Sequence, residues 1–182
     1  MSLDELGERC RGCRGCALCE TRTNVVVGDG SPQAKLMFVG EGPGANEDAT
    51  GLPFVGRAGQ LLDLYLDAFG MKRGDVYITN IVKCRPPKNR DPLPEEEAAC
   101  MPFLEEQIDI IRPKVIVCLG RIAAMKLIAP DFKIMQQHGM WFKRDGYDIT
   151  ATLHPAALLR DPGKKPLVYE DFKVISRMLE QV

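Results

Sequence analysis

Four apolar runs, at residues 35–39, 76–82, 115–120 and 148–153, constrain this chain more than any other feature. They are rich in branched or aromatic side chains and read as continuous rather than alternating, the pattern of strands covered on both faces. Helical patterns lie between and after them: 61–69 with Gly70 as its stop, 95–111 with three glutamates at its start, 121–128, and 170–181. Strands alternating with helices predict an α/β fold, a three-layer α/β/α sandwich around a parallel sheet. The length of 182 residues suits one domain, taken as residues 1–182. Internal repeats and low-complexity segments are absent.

Three of the four runs end on an unusual polar residue: Glu41, Asn80 and His154. In an open parallel sheet, ligands bind beyond the carboxyl ends of the strands, so these three ends are expected to converge on one crevice. Gly40-Glu41-Gly42-Pro43-Gly44 packs three glycines into five residues, which allows close backbone approach to a ligand. It lacks both the Lys-Ser/Thr of a P-loop and the spacing of a dinucleotide fingerprint, and a tight turn with an exposed acid would read the same. Asn80 offers a donor and an acceptor in one plane, the complement of a flat ligand edge that presents one of each; an ordinary turn former also fits the position. His154, one of two histidines, stands before Pro155 and suits catalysis or a structural role. Phe54, in the loop Gly51-Leu52-Pro53-Phe54-Val55-Gly56-Arg57, either plugs the core or stacks on a flat ring.

The net charge of −1, from 24 Lys plus Arg against 25 Asp plus Glu, gives no global support for nucleic-acid binding. Any such contact must be local, and the basic loop holding Lys83, Arg85, Lys88 and Arg90 directly follows Asn80. No apolar run approaches the roughly 20 residues of a membrane span. The polar first residues carry no signal-peptide core, and a cytoplasmic location is expected. Seven cysteines in a reducing compartment point to metal rather than to disulfides. Cys10, Cys13, Cys16 and Cys19 fall at intervals of three, in overlapping Cys-x2-Cys pairs that suit zinc or an iron–sulfur cluster. Cys84 and Cys100 lie where they can return to them, whereas Cys118, inside a predicted strand, reads as core.

Together these residues resemble the iron–sulfur uracil-DNA glycosylases of family 4, from bacteria and archaea. The resemblance covers nearly the whole chain and rests on four motifs in order. They are Gly40-Glu41-Gly42-Pro43-Gly44 with Glu47, the segment 51–62, Thr79-Asn80-Ile81-Val82-Lys83-Cys84-Arg85-Pro86-Pro87-Lys88-Asn89-Arg90, and His154 to Arg160. It implies a central four-stranded parallel sheet and a [4Fe–4S] cluster. Anchored on Arg22-Thr23, the cluster ligands fall on Cys13, Cys16, Cys84 and Cys100. This chain departs from the pattern by adding Cys10 and Cys19, either of which is an alternative to the first two. It lacks the inserted histidine of relatives that trap uracil DNA covalently, so turnover is expected.

The implied reaction is hydrolysis of the N-glycosidic bond of uracil in single- or double-stranded DNA after base flipping, by a monomer, the first step of base excision repair. Phe54 would stack on the base, Asn80 read it, and Glu47 exclude a C5 methyl. The uracil anion would rest on His154 and the backbone near Gly40 and Gly42, while Glu41 would orient water or stabilise the cationic sugar. Lys83, Lys88, Arg90 and Arg160 are expected on phosphates. Two rival readings remain at this level: an electron-transfer protein built on the Cys10 to Cys19 run, and a zinc-stabilised nucleic-acid module. Neither explains three polar strand ends.

Overall fold

The computed structural model describes all residues, 1–182. In chain order the elements are α1 (Leu3–Arg11), β1 (Asp29–Gly30), β2 (Leu36–Gly40), α2 (Ala45–Thr50), α3 (Arg57–Ala68), β3 (Tyr77–Asn80), α4 (Pro94–Ile111), β4 (Val115–Leu119), α5 (Arg121–Leu127), α6 (Ile134–Gln137), β5 (Trp141–Arg144), β6 (Tyr147–Thr152), α7 (Pro155–Arg160) and α8 (Lys165–Glu180). The four apolar runs become β2, β3, β4 and β6, which lie side by side in parallel in the order β3-β2-β4-β6.

The sheet has six strands rather than the four expected. Two antiparallel edge strands, β1 against β3 and β5 against β6, extend it. β1 is only two residues long and carries no apolar pattern to betray it. The β5–β6 hairpin did leave a signal, the turn pair Asp145-Gly146, with Gly146 at φ 91°.

Alternate residues of the inner strands feed opposite cores, as the two-residue period of a strand requires. Met37, Val39, Ile116 and Cys118 face one side with Leu104 and Ile111 of α4 and Ala123 and Ala124 of α5. Leu36, Phe38, Val115 and Val117 face the other with Leu62 and Leu66 of α3 and Phe172 and Ile175 of α8. Burying one such large side chain is worth roughly 1.5–3 kcal/mol, so both faces are firmly covered. α1 is started by a capping box between Ser2 and Glu5 and packs on α4 through its buried Leu6 and Cys10. No helix is long and apolar enough to cross a membrane.

Candidate active site and thiol cavity

A cleft of about 780 Å³ opens beyond the carboxyl ends of the parallel strands. Glu41 follows β2, Asn80 ends β3, Gly120 follows β4 and His154 follows β6, and all four line it. The three strand-end residues picked from the sequence are therefore brought together.

The floor of the cleft is tight. A Cβ added at Gly40 would stand 2.5 Å from Asn80 Oδ1 and 2.6 Å from Phe54 Cζ, so glycine is required there by close approach. The Phe54 ring lies 5.5 Å from that of His154. Phe54 adopts φ 50°, an uncommon conformation for an aromatic residue, and the backbone around it is pinned. Arg73 donates to the Pro53 carbonyl, to the Phe54 carbonyl at 3.0 Å and to Asp63 at 2.9 Å. Asn80 is 1 % exposed, and its Oδ1 is one of two buried side-chain polar atoms with no hydrogen-bond partner. Leaving such an acceptor unmatched costs about 1–3 kcal/mol, the signature of a group reserved for a ligand.

Glu47 also lines the cleft, but its carboxylate is fully engaged with backbone. Oε2 accepts from Val55 N and Gly56 N, both at 2.9 Å, and Oε1 accepts from Gly44 N at 3.1 Å. These bonds clamp the Phe54 loop to the glycine turn and hold the Glu47 side chain fixed at the cleft wall. His154 caps α7: its Nδ1 accepts from Ala156 N at 3.0 Å. Burial, aided by the Arg160 charge and opposed by Glu47, pushes its pKa down to about 4. The imidazole is neutral at pH 7, and with Nδ1 accepting, the proton sits on Nε2.

Glu41 behaves in the opposite sense. Burial first, then the charge and hydrogen bond of Asp91, push its pKa up to about 7, with Arg121 opposing. Arg121 itself pairs with Asp91 at 2.5 Å. Sequence reasoning missed both Asp91 and Arg121, because the loop between β3 and α4 and the start of α5 meet Glu41 only in the fold.

The four expected phosphate contacts divide. Arg160 is exposed and lines the cleft, as do the unpredicted exposed Arg57 and half-buried Lys164, while Lys88 is exposed next to Asn89, which lines it. Arg90 lines the cleft but holds the buried Glu96 with two hydrogen bonds of 2.7 and 3.1 Å, which keep that carboxyl below its usual range. Lys83 is a correction: it is 1 % exposed and points inward. Its Nζ donates to Thr79 Oγ1 at 2.6 Å, the Asn80 carbonyl at 2.7 Å and Gln107 Oε1 at 2.8 Å. A lysine in a basic loop reads as solvated, and only the partner 24 positions along α4 reveals otherwise.

On the far side of the segment 80–84, six free cysteines line a second, smaller cavity: Cys10, Cys13, Cys16, Cys19, Cys84 and Cys100. They arrive from α1, the loop after it, the loop after β3, and α4. Cys118 is buried in β4, as expected of a core residue. Burial pushes the thiols up, Cys10 to about 12 and Cys84 to about 11, and Cys16 and Cys100 in the same direction. Arg22 donates to the Cys13 carbonyl at 2.8 Å and to Cys84 Sγ at 3.4 Å. No three side chains close on one point as ligands of a single ion; the thiols ring a space instead.

Comparison with known proteins fits this geometry. Residues 27–177 match the Uracil DNA glycosylase superfamily. A type-4 uracil-DNA glycosylase of Sulfurisphaera tokodaii is 44% identical over 186 residues, 97% of this chain and 84% of that protein. Similar enzymes of Archaeoglobus fulgidus (44% identical, 97% of this chain and 93% of the relative) and Thermotoga maritima (46%, 94% and 91%) carry the same name.

Proposed function

The chain belongs to the uracil DNA glycosylase superfamily and is a uracil-DNA glycosylase, and from that premise we propose how its residues divide the work. The observation that carries the reading is the unpartnered Oδ1 of Asn80 in the cleft. Uracil presents N3–H to such an acceptor and O4 to the amide's donor; cytosine presents a lone pair at N3 and an amino group beside it, and is refused. The base must leave the DNA stack to reach this depth, and the Phe54 ring supplies the apolar face that receives it.

Breaking the glycosidic bond moves negative charge onto uracil O2. The Nε2–H of neutral His154 is a fixed donor for that oxygen, joined by the amides of the Gly40 to Gly42 turn. Glu41, once ionised, orients the attacking water or steadies the cationic sugar. Lys88 and Arg160, with Arg57 and Lys164, hold phosphates of single- or double-stranded DNA. The protein acts as one domain and as a monomer.

The thiol cavity fits an iron–sulfur cluster: soft donors from separate segments surround a space rather than a point, with the cations Arg22 and Lys83 beside them. Cys13, Cys16, Cys84 and Cys100 would hold a [4Fe–4S] group, with Cys10 and Cys19 as neighbours. When bound it supplies four cross-links between the N-terminal segment and the loop after Asn80.

The test is release of uracil from an oligonucleotide carrying a single uracil, read as an alkali-labile abasic site. Asn80→Ala should lose roughly 1–3 kcal/mol of transition-state stabilisation for each of the two uracil groups left unpaired. Asn80→Asp, all acceptors when ionised, should favour cytosine over uracil. Wild-type uracil rates in Asn80→Ala would mean that another residue reads the base.

A further inference from the structure

Lys83 is a fully buried ammonium whose three hydrogen-bond partners are all neutral: Thr79 Oγ1, the Asn80 carbonyl and Gln107 Oε1. An unpaired charge at that depth is costly, so it needs a counter-charge. No carboxylate bonds it. Lys83 lines the thiol cavity, and its own backbone N–H donates to Cys100 Sγ at 3.3 Å. Its three acceptors belong to one network. Thr79 Oγ1 donates to the Val27 carbonyl at 2.8 Å, and Gln107 Nε2 donates to the same carbonyl at 2.8 Å and to Tyr77 Oη at 3.1 Å. Lys83 also accepts through its carbonyl from Val26 N at 2.7 Å.

We propose that Lys83 is a positioning residue that joins the thiol cavity to the base-reading end of β3: its charge balances the thiolate side, and its donors fix the Asn80 peptide. The Asn80 carbonyl lies at the strand end, and the ammonium holds it there. A carboxamide that must meet two atoms of a flat base tolerates little rotation of the peptide that carries it. Lys83 touches neither base nor phosphate. This inference rests on the roles given above to Asn80 and the thiols.

The variant Lys83→Met keeps most of the length and removes both charge and donors. Three readings are taken on purified protein: iron content with visible absorption, cluster reduction potential, and single-turnover uracil release with DNA affinity measured separately. The expected result is a release rate lowered on the order of tenfold per iron-loaded molecule with DNA affinity nearly unchanged. The potential should become more negative, because a positive charge near the cluster favours the added electron. Lys83→Gln, which keeps a donor one atom shorter, should recover part of the rate but none of the potential. Unchanged potential, or a rate that falls only in proportion to iron content, overturns the proposal. Should Lys83→Met fail to fold, Thr79→Val removes one acceptor and keeps the ammonium; a lower rate at unaltered potential is expected, and an unaltered rate overturns it. A wild-type protein without iron or uracil release would instead refute the functional reading itself.

Discussion

The cleft and the thiol cavity flank the same five residues, 80–84, yet they are held together in different ways. In the cleft, backbone amides place the polar groups: three fix Glu47, one fixes His154, and a glycine brings β2 against Asn80 and Phe54. It is complete as folded. Around the thiols, separate segments meet with few bonds between them, chiefly those of Arg22 and the Lys83 amide, and burial drives the thiols away from charge. The contrast sets a cleft whose polar groups the backbone itself holds in place beside a cavity where soft donors from separate segments meet against one edge of the hydrophobic core.

The contrast breaks most plainly at Cys84. Cys84→Ala should lose the iron and its colour, lower stability on the order of several kcal/mol, and free residues 1–22 to hydrogen exchange while β2 and β4 stay protected. Asn80→Ala should do none of this. A Cys84→Ala protein that keeps its iron, or an Asn80→Ala protein that loses it, would show that the two regions are not built independently. Cys10→Ala and Cys19→Ala, expected to stay brown, sharpen the choice of ligands.

A middle-sized effect is expected from pH. Glu41 ionises only as pH rises through about 7, so uracil release should climb across that range. His154, neutral above about 4, adds no second limb between pH 5 and 8. Asp91→Asn removes the charge and hydrogen bond that favour the protonated acid and frees Arg121 to oppose it. The limb should move to lower pH, raising the rate at pH 6 several-fold. A limb that stays in place would mean that another group sets it. The cluster absorption should not follow this titration.

The smallest effect concerns the rim. Replacing Lys88 and Arg160 together by Gln should reduce the salt dependence of DNA binding by a slope of about 0.7–0.9 per lost phosphate contact. Discrimination between uracil and thymine should hardly change. An unaltered slope would remove these two from the DNA contact surface.

The sequence told more about the cleft than about what surrounds it. Residues 115–120 read as a strand because both faces of β4 are buried, and Glu41, Asn80 and His154 stood out because each ends such a run. β1, with two residues, and β5, with exposed Lys143 and Arg144, are strands only because a neighbour offers hydrogen bonds. α8 begins at Lys165, five residues before the expected 170, because Pro166 fits the first turn and the preceding loop gives no composition cue. Type and position assign Lys83 to phosphate, yet Thr79, the Asn80 carbonyl and Gln107 far along the chain claim it, and the backbone bonds that fix Glu47 carry no sequence sign. Asp91 and Arg121 escaped for the same reason: a loop and a helix start carry no sequence sign of which acid they will face.

The pinned loop behind Phe54 has a consequence for how this pocket can change over generations. Gly59, on the first turn of α3, has no room for a Cβ against the Phe54 carbonyl oxygen, and Gly40 has none against the ring. Enlarging or tilting the stacking platform would therefore require several simultaneous replacements, each damaging alone. Exchanges at Asn80 or Glu41 alter side-chain chemistry while leaving the frame standing. Divergence in base preference should accordingly run through the polar residues at the strand ends, and laboratory selection for new bases will be quickest if libraries are concentrated there.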